Sequence, residues 1–175
     1  MKIAFRYANA SLFGKLISFW TRSKFQHVEI VFEHPQPLCF SSSEDSNGTR
    51  FTNITDLDNK ENWEVIDLPM ISLGMEVNTF YWVKINLIND PKTGKKITYN
   101  WQDIASFIFH NLNPDNPDRW ICSAVCTYVL QRCGLFDGIR CVDVSPELCY
   151  ELVKSWVDSV KSNAENKSVS TTGSS

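Results

Sequence analysis

Apolar and polar positions alternate with a period of two in several stretches of the first half of the chain. That period marks half-buried strands. Met1–Arg6 alternates loosely. His27–Phe32 alternates cleanly, with Val28, Ile30 and Phe32 on one face and His27, Glu29 and Val31 on the other. A turn-like Glu33–Pro37 segment with two prolines follows, and Leu38–Ser43 returns as the second arm of a hairpin. Arg50–Ile54 and Trp63–Leu68 read as further strands. Thr79–Leu87, rich in β-branched and aromatic residues, has the strongest strand pattern of all.

Helical spacing appears elsewhere. Leu12, Leu16, Ile17 and Trp20 form one stripe behind a cap at Asn9 or Ser11. Asn100–Asp103 resembles a capping box, with Ile104, Phe107, Ile108 and Leu112 continuing the pattern. A loop rich in Pro and Asp then leads into Cys122. Val125, Val129 and Leu130 lie behind it at helical spacing, and Gly134 supplies the stop. Ser145-Pro146, a cap followed by proline at the first helical position, opens a last helix to about Val160. From Lys161 the chain is polar and Ser/Thr-rich, and reads as a disordered tail over 161–175. The whole predicts an α+β domain over residues 1–160.

Charge and composition narrow the function. A net charge of −3 without a basic block argues against nucleic acid. No secretory signal and no apolar run long enough to span a bilayer are visible, so the expected setting is cytoplasmic, without membrane insertion. The 6 cysteines then read as thiols rather than three disulfides. No CxxC or HxxxH pair is present, and the loop acids lack EF-hand spacing, so neither a metal nor a cofactor is expected.

Cys122 carries the chemistry. At the first turn of a helix, free N–H groups and the helix dipole favour a thiolate. The bland reading of an apolar-helix cysteine is core packing, and it is the reading adopted for Cys126, one turn deeper. Cys122 differs because a strand histidine is available upstream. A thiol hydrolase needs a thiolate, an imidazole to hold and move its proton, and a polar group to fix the imidazole. His27 supplies the second. The third belongs on the returning arm of the hairpin, which carries Ser41, Ser43 and Glu44. An aligned strand brings Ser41 nearest, though register is not fixed by one sequence. Glu29, on the face of His27, is a lesser candidate. His34 reads as an exposed turn residue and His110 as a residue late in a helix.

The order of a His strand, a hairpin, more strands and then a Cys helix resembles the permuted papain-like members of the NlpC/P60 superfamily, the YaeF/YiiX-type amidases, including phage-encoded relatives. More distantly it is similar to the lecithin:retinol acyltransferase group. The matching pieces are Gln26–Val31, Trp120–Ser123, Lys96–Trp101 and Ser145-Pro146. Two departures stand out. Many relatives carry Glu where Ala124 follows Cys-Ser, and a carboxylate or amide where this chain has Ser41.

The resemblance implies a circularly permuted papain-like fold and cleavage of an amide, or an ester, through a Cys122 thiolate and a His27 base. The substrate would be a peptide, a peptidoglycan-type peptide or another acyl compound. An acyltransferase using the same pair, or an inactive binding module on the same scaffold, is the alternative. Substrate identity and oligomeric state are left open.

Overall fold

A computed structural model describes residues 1–8, 23–43, 46–54, 57, 61–99 and 119–172. The helices expected around Leu12–Trp20 and Ile104–Leu112, together with Glu44 and His110, lie outside the described residues.

Five strands form one antiparallel sheet: β1 (Lys2–Tyr7), β2 (Phe25–Phe32), β3 (Leu38–Ser43), β4 (Gly48–Asn53) and β5 (Trp63–Asp67), in the order β4-β3-β2-β1-β5. The expected β2–β3 hairpin is present, with Phe32 opposite Leu38 and Ile30 opposite Phe40. Arg50 pairs with Ser41 across β3 and β4. A parallel pair, β6 (Thr98–Tyr99) and β7 (Arg119–Trp120), forms a small second sheet just ahead of Cys122.

Three helices pack near the sheet: α1 (Leu73–Asn86), α2 (Cys122–Arg132) and α3 (Pro146–Thr172). The period of two divides the sheet faces. Ile3, Phe5, Val28, Ile30, Phe32 and Phe40 join Phe80 and Val83 of α1, Val125, Val129 and Leu130 of α2, and Val153 and Val157 of α3 in the main core. Each such side chain contributes about 1.5–3 kcal/mol by leaving water. Ala4, Val31, Cys39 and Trp63 form a smaller cluster on the other face.

Thr79–Leu87 is not a strand. It is the second half of α1, and this corrects the strongest strand pattern in the sequence. The Ser72 hydroxyl accepts the Met75 N–H at 3.2 Å and starts the helix. Phe80, Val83 and Leu87 are then buried at helical spacing. Tyr81 and Ile85, which a strand would place on the same face as Val83, are exposed. Burial of one helical stripe overrides the β-propensity of the individual residues.

The ends of α2 and α3 follow the sequence signals. Gly134 adopts φ +77°, and its N–H reaches the Gln131 carbonyl at 2.8 Å while the Leu135 N–H reaches that of Leu130 at 3.0 Å. This is the paired closure that a left-handed glycine allows. Ser145 Oγ accepts the Leu148 N–H at 3.1 Å and caps α3. That helix runs on to Thr172, beyond the Val160 at which its apolar pattern ends. Val157 is the last buried side chain before the exposed 161–164 turn. Glu64 braces α3 to the sheet by accepting the hydroxyls of Tyr7 at 2.8 Å and Tyr150 at 2.7 Å.

Candidate active site

The site is built on a gap in the sheet. β2 and β3 pair only over Ile30–Phe32 and Leu38–Phe40. In an antiparallel ladder the N–H and C=O of one residue point to the same side. Val28, two residues before Ile30, therefore turns both groups toward β3, where no strand partner takes them. Three side chains fill the opening. The Val28 carbonyl accepts the Ser41 hydroxyl at 2.6 Å and the Cys126 thiol at 3.5 Å. The Val28 backbone also favours charge on the Cys122 sulfur, lowering its pKa. The N-terminal turn of α2 thus docks on an unpaired stretch of β2 and delivers Cys122 beside His27.

No side chain caps α2 at Ile121, and its first turn carries no acidic residue. The positive end of the helix therefore acts on Cys122 undiluted. The Ser123 backbone acts on the sulfur in the same sense.

Burial favours a neutral thiol at Cys122. The charge and hydrogen bond of His27, with the backbone of Val28 and Ser123, outweigh it and lower the Cys122 pKa below its ordinary value. Burial likewise opposes charge on the imidazole. The Cys122 sulfur and the Glu29 carboxylate prevail, raising His27 to about 9. Such opposed displacements are the signature of a thiolate–imidazolium pair. The remaining thiols go the other way. Burial raises Cys133, raises Cys141 to about 11 and Cys149 to about 12, and drives Cys126 well above its usual range, aided there by the charges of Cys149, Cys122 and Glu29.

The group on the far side of the imidazole is Glu29. His27 Nε2 lies 3.0 Å from Glu29 Oε1. Glu29 is buried, yet its pKa is lowered. Burial alone would raise it. Contact with His27, the Arg50 charge and a hydrogen bond from Cys39 reverse that. Arg50 Nη2 reaches Glu29 Oε1 at 3.1 Å. His27, Glu29 and Arg50 thus form a chain of charge-assisted hydrogen bonds across the sheet.

Of the residues expected from sequence, Cys122 and His27 come together. Ser41 lies beneath them, but its hydroxyl goes to the backbone of Val28 and Ser42, at 2.6 and 3.4 Å, and the imidazole contact falls to Glu29 instead. The reason is the gap: where β2 and β3 part, the return arm cannot present Ser41 to the ring, while Glu29 reaches it along the same strand. The Ser43 hydroxyl turns to Ser46 at 3.0 Å. Arg50 was not singled out in the sequence. Its signal is parity, since pairing with Ser41 places it on the Glu29 face.

No family model, curated protein or solved structure matches the chain. Among the described residues, no group of three or more His, Cys, Asp or Glu is arranged to hold a metal ion. No helix among them is long and apolar enough to cross a membrane.

Proposed function

We propose that the protein is a thiol hydrolase of the permuted NlpC/P60, papain-like kind, cleaving an amide or ester bond in a peptide or other acyl substrate. The observation that carries this reading is the linked set Cys122–His27–Glu29, in which one cysteine alone of those with a displaced pKa is pushed toward thiolate.

The chemistry follows from the parts. The Cys122 thiolate attacks the substrate carbonyl carbon, and the carbonyl π pair moves onto oxygen. The Cys122 backbone N–H, at the start of α2, is a donor for that oxyanion. As the intermediate collapses, the His27 imidazolium protonates the leaving amine or alkoxide and a thioester on Cys122 remains. Neutral His27 then takes a proton from water as the hydroxide adds to the thioester carbon; collapse of that intermediate expels the Cys122 thiolate and releases the acid product, which restores the thiolate and the His27 imidazolium. Glu29 holds the ring in place and stabilises its cation, with Arg50 fixing the carboxylate. A reducing, cytoplasmic setting suits six cysteines that form no disulfide.

The test is p-nitrophenyl acetate turnover with mass mapping of the adduct. The reading expects a p-nitrophenol burst and an acetyl group on Cys122, both lost in Cys122→Ala and in His27→Ala but kept in Cys126→Ala. An added amine acceptor separates transfer from hydrolysis, since acetylated amine appears only for a transferase. Absence of any burst, with Cys122 alkylated by iodoacetamide no faster than Cys133, rules the hydrolase out.

A further inference from the structure

One cation stands beside this site without a role in it. Arg6 on β1 sits directly opposite His27 on β2 and directly opposite Trp63 on β5. Residues so paired share a face, with Cβ atoms about 4.5–5.5 Å apart. The Trp63 and His27 rings meet edge to face, 6.3 Å between centroids. The Arg6 guanidinium rests 5.8 Å from the Trp63 ring centroid.

Around it the face is closed: Trp63, Glu29 and Ala4 are buried, and the His27 side chain is 15 % exposed. Arg6 is exposed. Among the described residues it has no carboxylate partner, unlike Arg50, which is held by Glu29. A guanidinium cannot shed its charge near neutral pH, and an aromatic face restricts its motion. Its free edge is a planar donor pair that fits a carboxylate.

We propose that Arg6, propped on Trp63, is a specificity residue that receives a carboxylate of the substrate on the His27 side of the scissile bond. The statement rests on the Cys122–His27 reading above. It defines the substrate class as acyl compounds with an anionic group a few bonds from the reacting carbonyl. An acidic or C-terminal carboxylate of a peptide meets that description. The alignment Trp63–Arg6–His27 puts this anchor on the β1 side of His27, while Cys126 of α2 meets Val28 where β2 faces β3.

The test uses two alkylating agents of one reaction type, neutral N-ethylmaleimide and anionic maleimidopropionate, read at Cys122 by mass spectrometry at low ionic strength. In the unmodified protein the anionic reagent gains relative to the neutral one. In Arg6→Gln the anionic-to-neutral rate ratio falls roughly two- to fivefold, the size expected of an exposed, screened charge pair. Arg6→Lys keeps part of the preference. Lys154→Gln, which removes an equal charge from α3, leaves the ratio as it was. A ratio unchanged in Arg6→Gln, or lowered equally by Lys154→Gln, overturns the assignment of Arg6 while fast Cys122 labelling leaves the hydrolase standing. Slow labelling of Cys122 by both reagents overturns both.

Discussion

His27 Nε2 lies 3.0 Å from Oε1 of Glu29, two residues further along the same strand. A partner on the same strand is positioned by the β pleat alone, independent of hairpin register, because residues two apart project from one face. Replacing Glu29 with Gln keeps the shape and removes the charge. Acyl transfer to water is expected to fall by roughly 10²–10⁴-fold, as in triads that lose the carboxylate behind the imidazole. The same change lets the imidazolium deprotonate at lower pH, which a merely structural residue would not do. Measured kcat/KM across pH checks both, and an unaltered basic limb rejects the role.

The pH profile of Cys122 alkylation by iodoacetamide follows from the two displaced pKa values. A lowered Cys122 pKa means that the thiolate forms on the acid side of the ordinary thiol range. Labelling of Cys122 is therefore expected to rise at lower pH than an ordinary thiol's, while Cys126 and Cys149 lag behind it. The proposed catalysis also needs the imidazolium, so activity is expected to fall as pH rises through about 9, where His27 loses its proton. Stability shares that limb. A folded-state pKa raised above the usual His value stabilises fully at low pH, and the contribution is lost as pH rises through about 9. Glu29, lowered in the fold, acts in the opposite sense: its contribution is present above the usual carboxylate range and disappears as acid protonates it. Urea midpoints between pH 4 and 10 are expected to be highest between these limits.

Arg50→Met leaves the buried Glu29 carboxylate with His27 as its one remaining cation. The expected cost is about 3 kcal/mol, the lower end of the range for breaking a buried pair from one side, since Arg50 is partly open to water. Urea unfolding at neutral pH reads it. Arg50→Met,Glu29→Gln is expected to recover part of the loss, as removing both charges leaves neither stranded.

Gly48 opens β4 at φ +134°, and a Cβ there would meet the Ile97 carbonyl oxygen at 2.0 Å. The close approach is used: the Thr49 N–H donates to the same carbonyl at 3.2 Å, tying β4 to the segment before β6. Gly48→Ala is expected to destabilise by about 3 kcal/mol, combining the backbone cost with overpacking. Thermal unfolding checks this, and a shift within error would mean that the segment yields freely.

Much of this architecture could be read from the chain. Val28, Ile30 and Phe32 announced β2, Ser145-Pro146 announced α3, and Gly134 ended α2 where its φ requires. The α1 segment was misread because Thr79–Leu87 favours a strand residue by residue, and only the packing of Phe80 and Val83 against the sheet decides for a helix. At the site, Cys122 and His27 were legible through residue type and order. Glu29 as the partner of the imidazole was only a lesser candidate, because preferring Ser41 assumed that the hairpin stays zipped to its open end. The separation of β2 from β3 depends on α2 docking there, a contact nearly a hundred residues distant, as with Cys126 and Val28.

That unzipped seam ties the acidity of one sulfur to tertiary order. Strand β2 can still align with β1 if α2 lifts away, but Cys122 would then lose the Val28 backbone and the imidazole together and revert to an ordinary, sluggish thiol. Under the proposed chemistry, a molecule with α2 detached would lack its reactive sulfur even where β1 and β2 stay paired.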